Sequence, residues 1–210
     1  MLYINKIIKI SAEIKKISTN TNLVIVTKNQ DQNVITHLVD AGYVHFGENR
    51  IQDADKKWKN VIAANKNINL HLIGPVQSNK AKDAYRIFNY IHSLESEKVA
   101  KIFSNLDSKQ PKKIKYFIQV NIGDEQQKNG VKFCDASNFI NFCIKELKLN
   151  VVGLMCIPPV NSNSEQYFIK LKKLNDLHGL KELSMGMSSD YQLALKHGAT
   201  YVRIGSAIFN

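Results

Sequence analysis

Leu23-Val24-Ile25-Val26-Thr27-Lys28 sets four apolar residues in a row, three of them β-branched, just ahead of a lysine. A half-solvated strand alternates apolar and polar side chains. An unbroken run instead reads as a strand buried on both faces, as in a parallel sheet. Lys28 then stands at the carboxyl end of that strand, the side on which α/β folds bind ligands. Taken alone, it would read as a surface lysine that ends the strand.

Outward from this run the chain pairs short apolar segments with helical ones. A first amphipathic helix, MLYINKIIKISAEIKK, lacks the apolar core and cleavage site of a signal peptide. Leu23–Lys28 precedes a helix over Gln32–Ala41, and Val44–Phe46 precedes one from Arg50 to Ala64. Leu70–Ile73 leads to Ser78–Asn89, Ile91-His92 to Ser96–Leu106, and Tyr116–Ile122 to Asp135–Leu147. Val151–Cys156 leads to Ser164–His178, Leu183 to Ser189–His197, and Tyr201–Ile204 is the last apolar run, with no helix expected after it. Eight strands, all but the last followed by a helix, predict right-handed crossovers and an α/β fold: a closed (β/α)8 TIM-type barrel with an extra N-terminal helix. An open doubly wound sheet is the rival. With no linker of Pro, Gly or Ser and with Pro158-Pro159 inside a βα loop, residues 1–210 read as a single domain.

The chain has 29 Lys and Arg against 18 Asp and Glu, a net charge of +11, but the lysines are dispersed in pairs such as Lys56-Lys57 and Lys172-Lys173. No Arg-rich arm or aromatic-basic interleaving supports nucleic-acid binding. No apolar stretch is long enough to cross a membrane. Three cysteines without C-x-x-C spacing argue against a disulfide framework and a zinc site and for a cytoplasmic setting. His37, His45, His178 and His197 show no ligand spacing, so no metal is expected.

At the expected strand ends stand Lys28, Gly47-Glu48-Asn49, His71 with Gly74, His92-Ser93, Asn121, Gly153–Met155, Ser184–Ser188 and Arg203–Ser206. In a barrel these ends ring one site. Ser184-x-Gly186-Met187-Ser188 and Gly205-Ser206 fall in the loops after strands seven and eight, where barrel enzymes hold phosphate through backbone N–H groups. Either glycine cluster alone would read as a chain turn. Arg203 can point inward beneath them, and a buried guanidinium needs an acceptor. A strand carboxylate and a ligand ring nitrogen are the two options. Lysine, phosphate cup and inward arginine together describe a pyridoxal-phosphate site: the amine forms a Schiff base, the cup holds the phosphate, and arginine meets the pyridine nitrogen. An arginine there favours the unprotonated ring and a weak electron sink. Glu48 would act as a base, or organise the site by pairing Lys28 or Arg203. Cys156 reads as a buried, inert thiol.

VTKNQ, HFGENRIQDADKK, LHLIGPVQSNK, IHSLES, VNIGDEQQKNGV, VVGLMCIP, LSMGMSSDYQLAL and VRIGSAIF resemble, in order, segments of the YggS/PROSC family of pyridoxal-phosphate homeostasis proteins. The resemblance implies a monomeric barrel like the amino-terminal domain of alanine racemase, pyridoxal-phosphate fold type III. It implies Lys28 as the Schiff-base lysine, phosphate held by Ser184 and the amides of Gly205 and Ser206, and Arg203 at the pyridine nitrogen. Asn49, Gly186 and Met187 would complete the cofactor-binding set, and His71 and Gln77 match the family pattern. Pro75 departs from it. The implied function is binding and buffering of pyridoxal 5′-phosphate, with apo-enzymes as recipients. A weak racemase-like enzyme is the alternative. Racemases draw a second acid/base from a carboxy-terminal domain, and this sequence stops at Asn210, where that domain would begin.

Overall fold

The computed structural model describes residues 2–160 and 162–210, so Met1 of the first expected helix and Asn161 lie outside the described residues. Among the described residues, nine strands form one parallel sheet: β1 (Asn22–Val26), β2 (His45–Glu48), β3 (Asn69–Leu72), β4 (Tyr90–Leu94), β5 (Lys115–Asn121), β6 (Val131–Lys132), β7 (Val151–Met155), β8 (Glu182–Ser184) and β9 (Tyr201–Ile204). All but β6 close into a barrel, in the order β1-β2-β3-β4-β5-β7-β8-β9, with β9 pairing back onto β1. This is the (β/α)8 barrel that the alternation of segments predicts.

The opening run shows why the ring closes. Val24, Ile25 and Val26 are all buried. Val24 packs inside the barrel with Tyr90, Phe117, Met155 and Tyr201, whereas Ile25 packs outward against the helical layer. Both faces of β1 are therefore dry over these three residues, and an apolar side chain is required at each of them.

Helices α1 (Leu2–Ile17), α2 (Gln32–Asp40), α3 (Ile51–Ala64), α4 (Ala81–Ile87) and α5 (Glu97–Lys109) belong to the outer layer. They are followed by α6 (Ala136–Asn141), α7 (Ser164–Leu177), α8 (Tyr191–Lys196) and α9 (Ser206–Phe209). Their inward residues are spaced by helical turns: Ile7, Ile10 and Ile14 on α1, and Ile51, Ala54 and Trp58 on α3.

Three expectations are corrected. The last strand is followed by a helix after all, the single turn of α9, which α1 holds through Tyr3 against Phe209 and Lys6 on the Asn210 carbonyl. The helix expected over Asp135–Leu147 is broken into a 3-10 turn, α6 and a π-helical turn. In the last of these, Leu147 N–H reaches back five residues to Phe142 O. The segment after β5 adds the short strand β6, whose two residues pair with Val120 and Asn121. Its entry needs Gly130, at φ +117°, where a Cβ would lie 2.5 Å from Asn121 N.

Candidate cofactor-binding site

At the carboxyl ends of the strands a cavity of about 400 Å³ is lined by Val26 at the end of β1 and Lys28 after it, Asn49 after β2, Ile73 after β3 and Ile157 after β7. Met187, Ser188 and Ser189 after β8, with Arg203, Gly205 and Ser206 of β9 and α9, complete the wall.

Lys28 stands at the tip of a tight turn. Thr27 N–H donates to Gly47 O, and Thr27 O accepts from Gln30 N–H at 3.1 Å, closing a four-residue turn with Asn29 at φ +65°. Asparagine is among the few non-glycine residues that tolerate that conformation. Below the turn Thr27 is fully buried, and its hydroxyl donates to Glu48 Oε1 at 2.8 Å. The same oxygen accepts from Trp58 Nε1 at 3.1 Å and from Lys57 Nζ at 2.6 Å, while Lys57 also donates to Thr27 O at 3.0 Å. Glu48 thus pairs with Lys57 of α3, not with Lys28 or Arg203 as the sequence suggested. It bolts the first two strand ends together. Gly74 brings the third loop in, because a Cβ there would lie 2.1 Å from Asn49 O.

The last two loops are tied to each other where Ala207 N–H donates to Ser188 Oγ at 3.1 Å, and the loop after β8 is braced internally by Met187 N–H on Asp190 Oδ1 at 2.7 Å. Ser206 opens α9, so its N–H has no acceptor within that helix.

Arg203 is 4% exposed, and its acceptors are neutral: Nη1 donates to Ser184 Oγ at 2.7 Å and Nη2 to Cys156 O at 3.0 Å. Burial lowers its pKa, yet a guanidinium keeps its proton at any pH a protein meets. The strand carboxylate offered as its partner by sequence reasoning is therefore absent from its contacts. Cys156 is buried, and burial pushes its thiol up to about 12.

Of the eight cofactor-binding residues expected from the sequence, six (Lys28, Asn49, Met187, Arg203, Gly205 and Ser206) share this cavity. Ser184 and Gly186 do not line it. Ser184 is fully buried, its hydroxyl committed to Arg203 and to His92 Nδ1 at 2.7 Å. Gly186 lies at φ +93°, where a Cβ would come within 2.6 Å of Ala194 Cβ, so its part is to let β8 turn tightly over α8. Other residues read as strand-end groups also lie elsewhere. His71 and His92 point into the barrel among rings, Asn121 binds the loop to β6 through Glu125 O, and Gly153 packs against Glu182. Gln77 lines a separate hollow of about 310 Å³ with Arg50 and Lys80.

Sequence reasoning missed Ser189, Ile73 and Ile157 on the wall, and Lys57 and Trp58 behind it. Ser189 lies within the segment LSMGMSSDYQLAL and was within reach of it. Lys57 and Trp58 lie on a helix face whose orientation only the packed structure reveals.

The model of the alanine racemase N-terminal domain family matches residues 9–210. The pyridoxal phosphate homeostasis protein of Aquifex aeolicus is 35% identical over 84% of this chain and 80% of its own length; that of Escherichia coli K12 is 30% identical over 89% and 84%. The chain belongs to the YggS/PROSC family of pyridoxal-phosphate homeostasis proteins. Among solved structures, PipY of Synechococcus elongatus, described with PLP bound, superposes with a TM-score of 0.88, at 27% identity over 99% of this chain and 100% of that one. An alanine racemase of Bartonella henselae, 16% identical with a TM-score of 0.74 over 98% of this chain and 58% of its own, shares the barrel fold.

Proposed function

We propose that this family member binds pyridoxal 5′-phosphate covalently through Lys28 and serves as a carrier and buffer of the cofactor, with residues 1–210 acting as one unit. The observation that carries the reading is the common cavity: Lys28, Arg203 and the loops after β8 and β9 share one wall around about 400 Å³. That volume suits a small ligand, and the donor set suits an anionic aromatic aldehyde. When bound, the cofactor supplies an aldehyde that condenses with a primary amine, releasing water. Lys28 contributes the amine from an anchored turn. Ser188, Ser189, Gly205 and Ser206 contribute hydroxyls and backbone N–H groups for the phosphate. Arg203 contributes a fixed donor for the pyridine nitrogen, and Ser184 supports Arg203 from behind.

The chemistry of the wall favours carriage over catalysis. Its titratable side chains, among the described residues, are Lys28 and Arg203. An arginine does not exchange protons near neutral pH, which leaves no second group to work opposite Lys28. We further propose a cytoplasmic monomer that hands its cofactor to apo-enzymes. The free cysteines Cys134, Cys143 and Cys156 accord with a reducing compartment.

Titration of the purified protein with pyridoxal phosphate should produce a yellow species that borohydride fixes as a stable adduct on the peptide containing Lys28. Lys28→Ala should remain colourless. An adduct on another lysine, or colour that survives Lys28→Ala, would overturn the assignment. Racemisation of an amino acid at about 1 s⁻¹ or faster would exclude a pure carrier.

A further inference from the structure

Beyond Arg203 and Ser184 runs a chain of three histidines, two of them buried, that the proposed site does not itself require. Ser184 Oγ lies 2.7 Å from His92 Nδ1, His92 Nε2 lies 2.8 Å from His71 Nδ1, and His71 Nε2 lies 2.9 Å from His45 Nδ1. The three histidines come from consecutive strands β2, β3 and β4, and the chain crosses the barrel interior from the first residue of β2 to the cavity wall. His71 and His92 are fully buried. Stacking holds their planes: His71 on Tyr90 at 4.1 Å between centroids, His92 on Phe117 at 4.3 Å. Barrel interiors are ordinarily filled by aliphatic side chains, so three linked imidazoles in that space call for an explanation beyond packing.

The direction of the chain follows from its end. A guanidinium can only donate, so Ser184 Oγ accepts from Arg203 Nη1. The acceptor that the described residues offer the Ser184 hydroxyl proton is His92 Nδ1. His92 then carries its own proton on Nε2 and donates to His71 Nδ1, and His71 in turn donates from Nε2 to His45 Nδ1. Every bond points away from Arg203. Reversal would give Ser184 Oγ two donors and leave its own proton with no acceptor, at the cost of an unsatisfied buried group. The chain is unsuited to passing protons to the cavity, because the group at its upper end never releases one.

We propose that His92 and His71 are positioning residues for Arg203: by polarising the Ser184 hydroxyl as an acceptor, they fix the guanidinium's rotamer and present its remaining N–H groups to the ligand's ring. The use made of Arg203 rests on the cofactor reading above; the polarity of the chain does not.

Nitrogen-15 NMR of the cofactor-free protein tests the polarity directly. His71 and His92 should both be neutral with the proton on Nε2, and Arg203 should show separate, slowly rotating Nη resonances. His92→Leu should merge those resonances and weaken pyridoxal phosphate binding about tenfold, a change of about 1.4 kcal/mol. His92→Asn, whose Oδ1 can accept from Ser184, should retain both properties, which a purely structural role for the ring would not predict. Protons on Nδ1 of His71 and His92, or unaltered Nη resonances in His92→Leu, would overturn the proposal. Correct tautomers in a wild-type protein that takes up no cofactor would leave the polarity standing and defeat the carrier reading instead.

Discussion

Glu48 illustrates how much the site depends on one carboxylate. Its Oε1 accepts from Thr27, Trp58 and Lys57 while the residue is fully buried. Removing it takes the acceptor from the Thr27 hydroxyl and the Trp58 indole and leaves the Lys57 ammonium with the Thr27 carbonyl in place of a carboxylate. Glu48→Ala should therefore destabilise the fold by about 3–5 kcal/mol, the range for breaking a buried ion pair. Glu48→Gln, which keeps an acceptor, should lose less. Trp58, the sole tryptophan, lies against the carboxylate, so urea unfolding followed by its fluorescence reads the change at the site. The cysteines offer a second test. Cys143 and Cys156 are buried with thiols pushed up to about 12, whereas Cys134 is exposed. Since the thiolate is the nucleophile, iodoacetamide on the native protein should label Cys134 alone, as read by mass spectrometry. Labelling of Cys156 before unfolding would show that the floor beneath Arg203 opens.

At the scale of elements, the rim is built by close approaches that only glycine permits. Gly74→Ala would place a Cβ 2.1 Å from Asn49 O and push the third loop away from the second. The expected result is weaker cofactor binding, read as a rightward shift of the absorbance titration, with the barrel still folded by circular dichroism. Gly186→Ala combines a positive φ with a 2.6 Å approach to Ala194 Cβ. It should lower stability by roughly 1–3 kcal/mol, measured by denaturant unfolding, because β8 cannot move away from α8 without breaking its pairing with β7 and β9. Element boundaries were largely legible: the β-branched run of β1 and the helical spacing on α2 and α3 required no tertiary information. The π-helical turn after α6 and the two-residue β6 were not: the turn replaces the ordinary helical bond by one a residue longer without changing the apolar spacing, and β6 is defined by its pairing with Val120 and Asn121.

For the whole molecule, the histidine chain ties stability to pH. His71 and His92 are held well below the usual imidazole pKa, first by desolvation, then by the charges around them: Arg203 acting on His92, and Lys115 with the neighbouring histidines acting on His71. Above about pH 6.5 both the folded and the unfolded chain carry these rings neutral, so the fold bears no protonation penalty. Below that pH the unfolded chain binds protons that the folded one refuses. Stability then falls by about 1.4 kcal/mol per histidine for each pH unit, until the native pKa is reached. Denaturant midpoints taken from pH 7.5 to 5 should drop steeply below about 6.5, and the drop should be shallower in His71→Phe. A flat profile would mean that these rings accept protons in the folded barrel.

The linear chain determined a good deal by itself. Unbroken apolar runs alternating with amphipathic segments demand a parallel sheet covered by helices, and eight of them close a barrel. Lys28, Arg203 and the glycine-serine loops could be assigned to one rim because topology places every strand end there. Tertiary structure alone decided what each side chain meets on arrival. It turned Glu48 to Lys57, sent Ser184 beneath the wall to hold Arg203, and joined His45, His71 and His92 across three strands. Such contacts link residues distant in sequence through the register and shear of the closed sheet, a geometry that exists only once the barrel has formed.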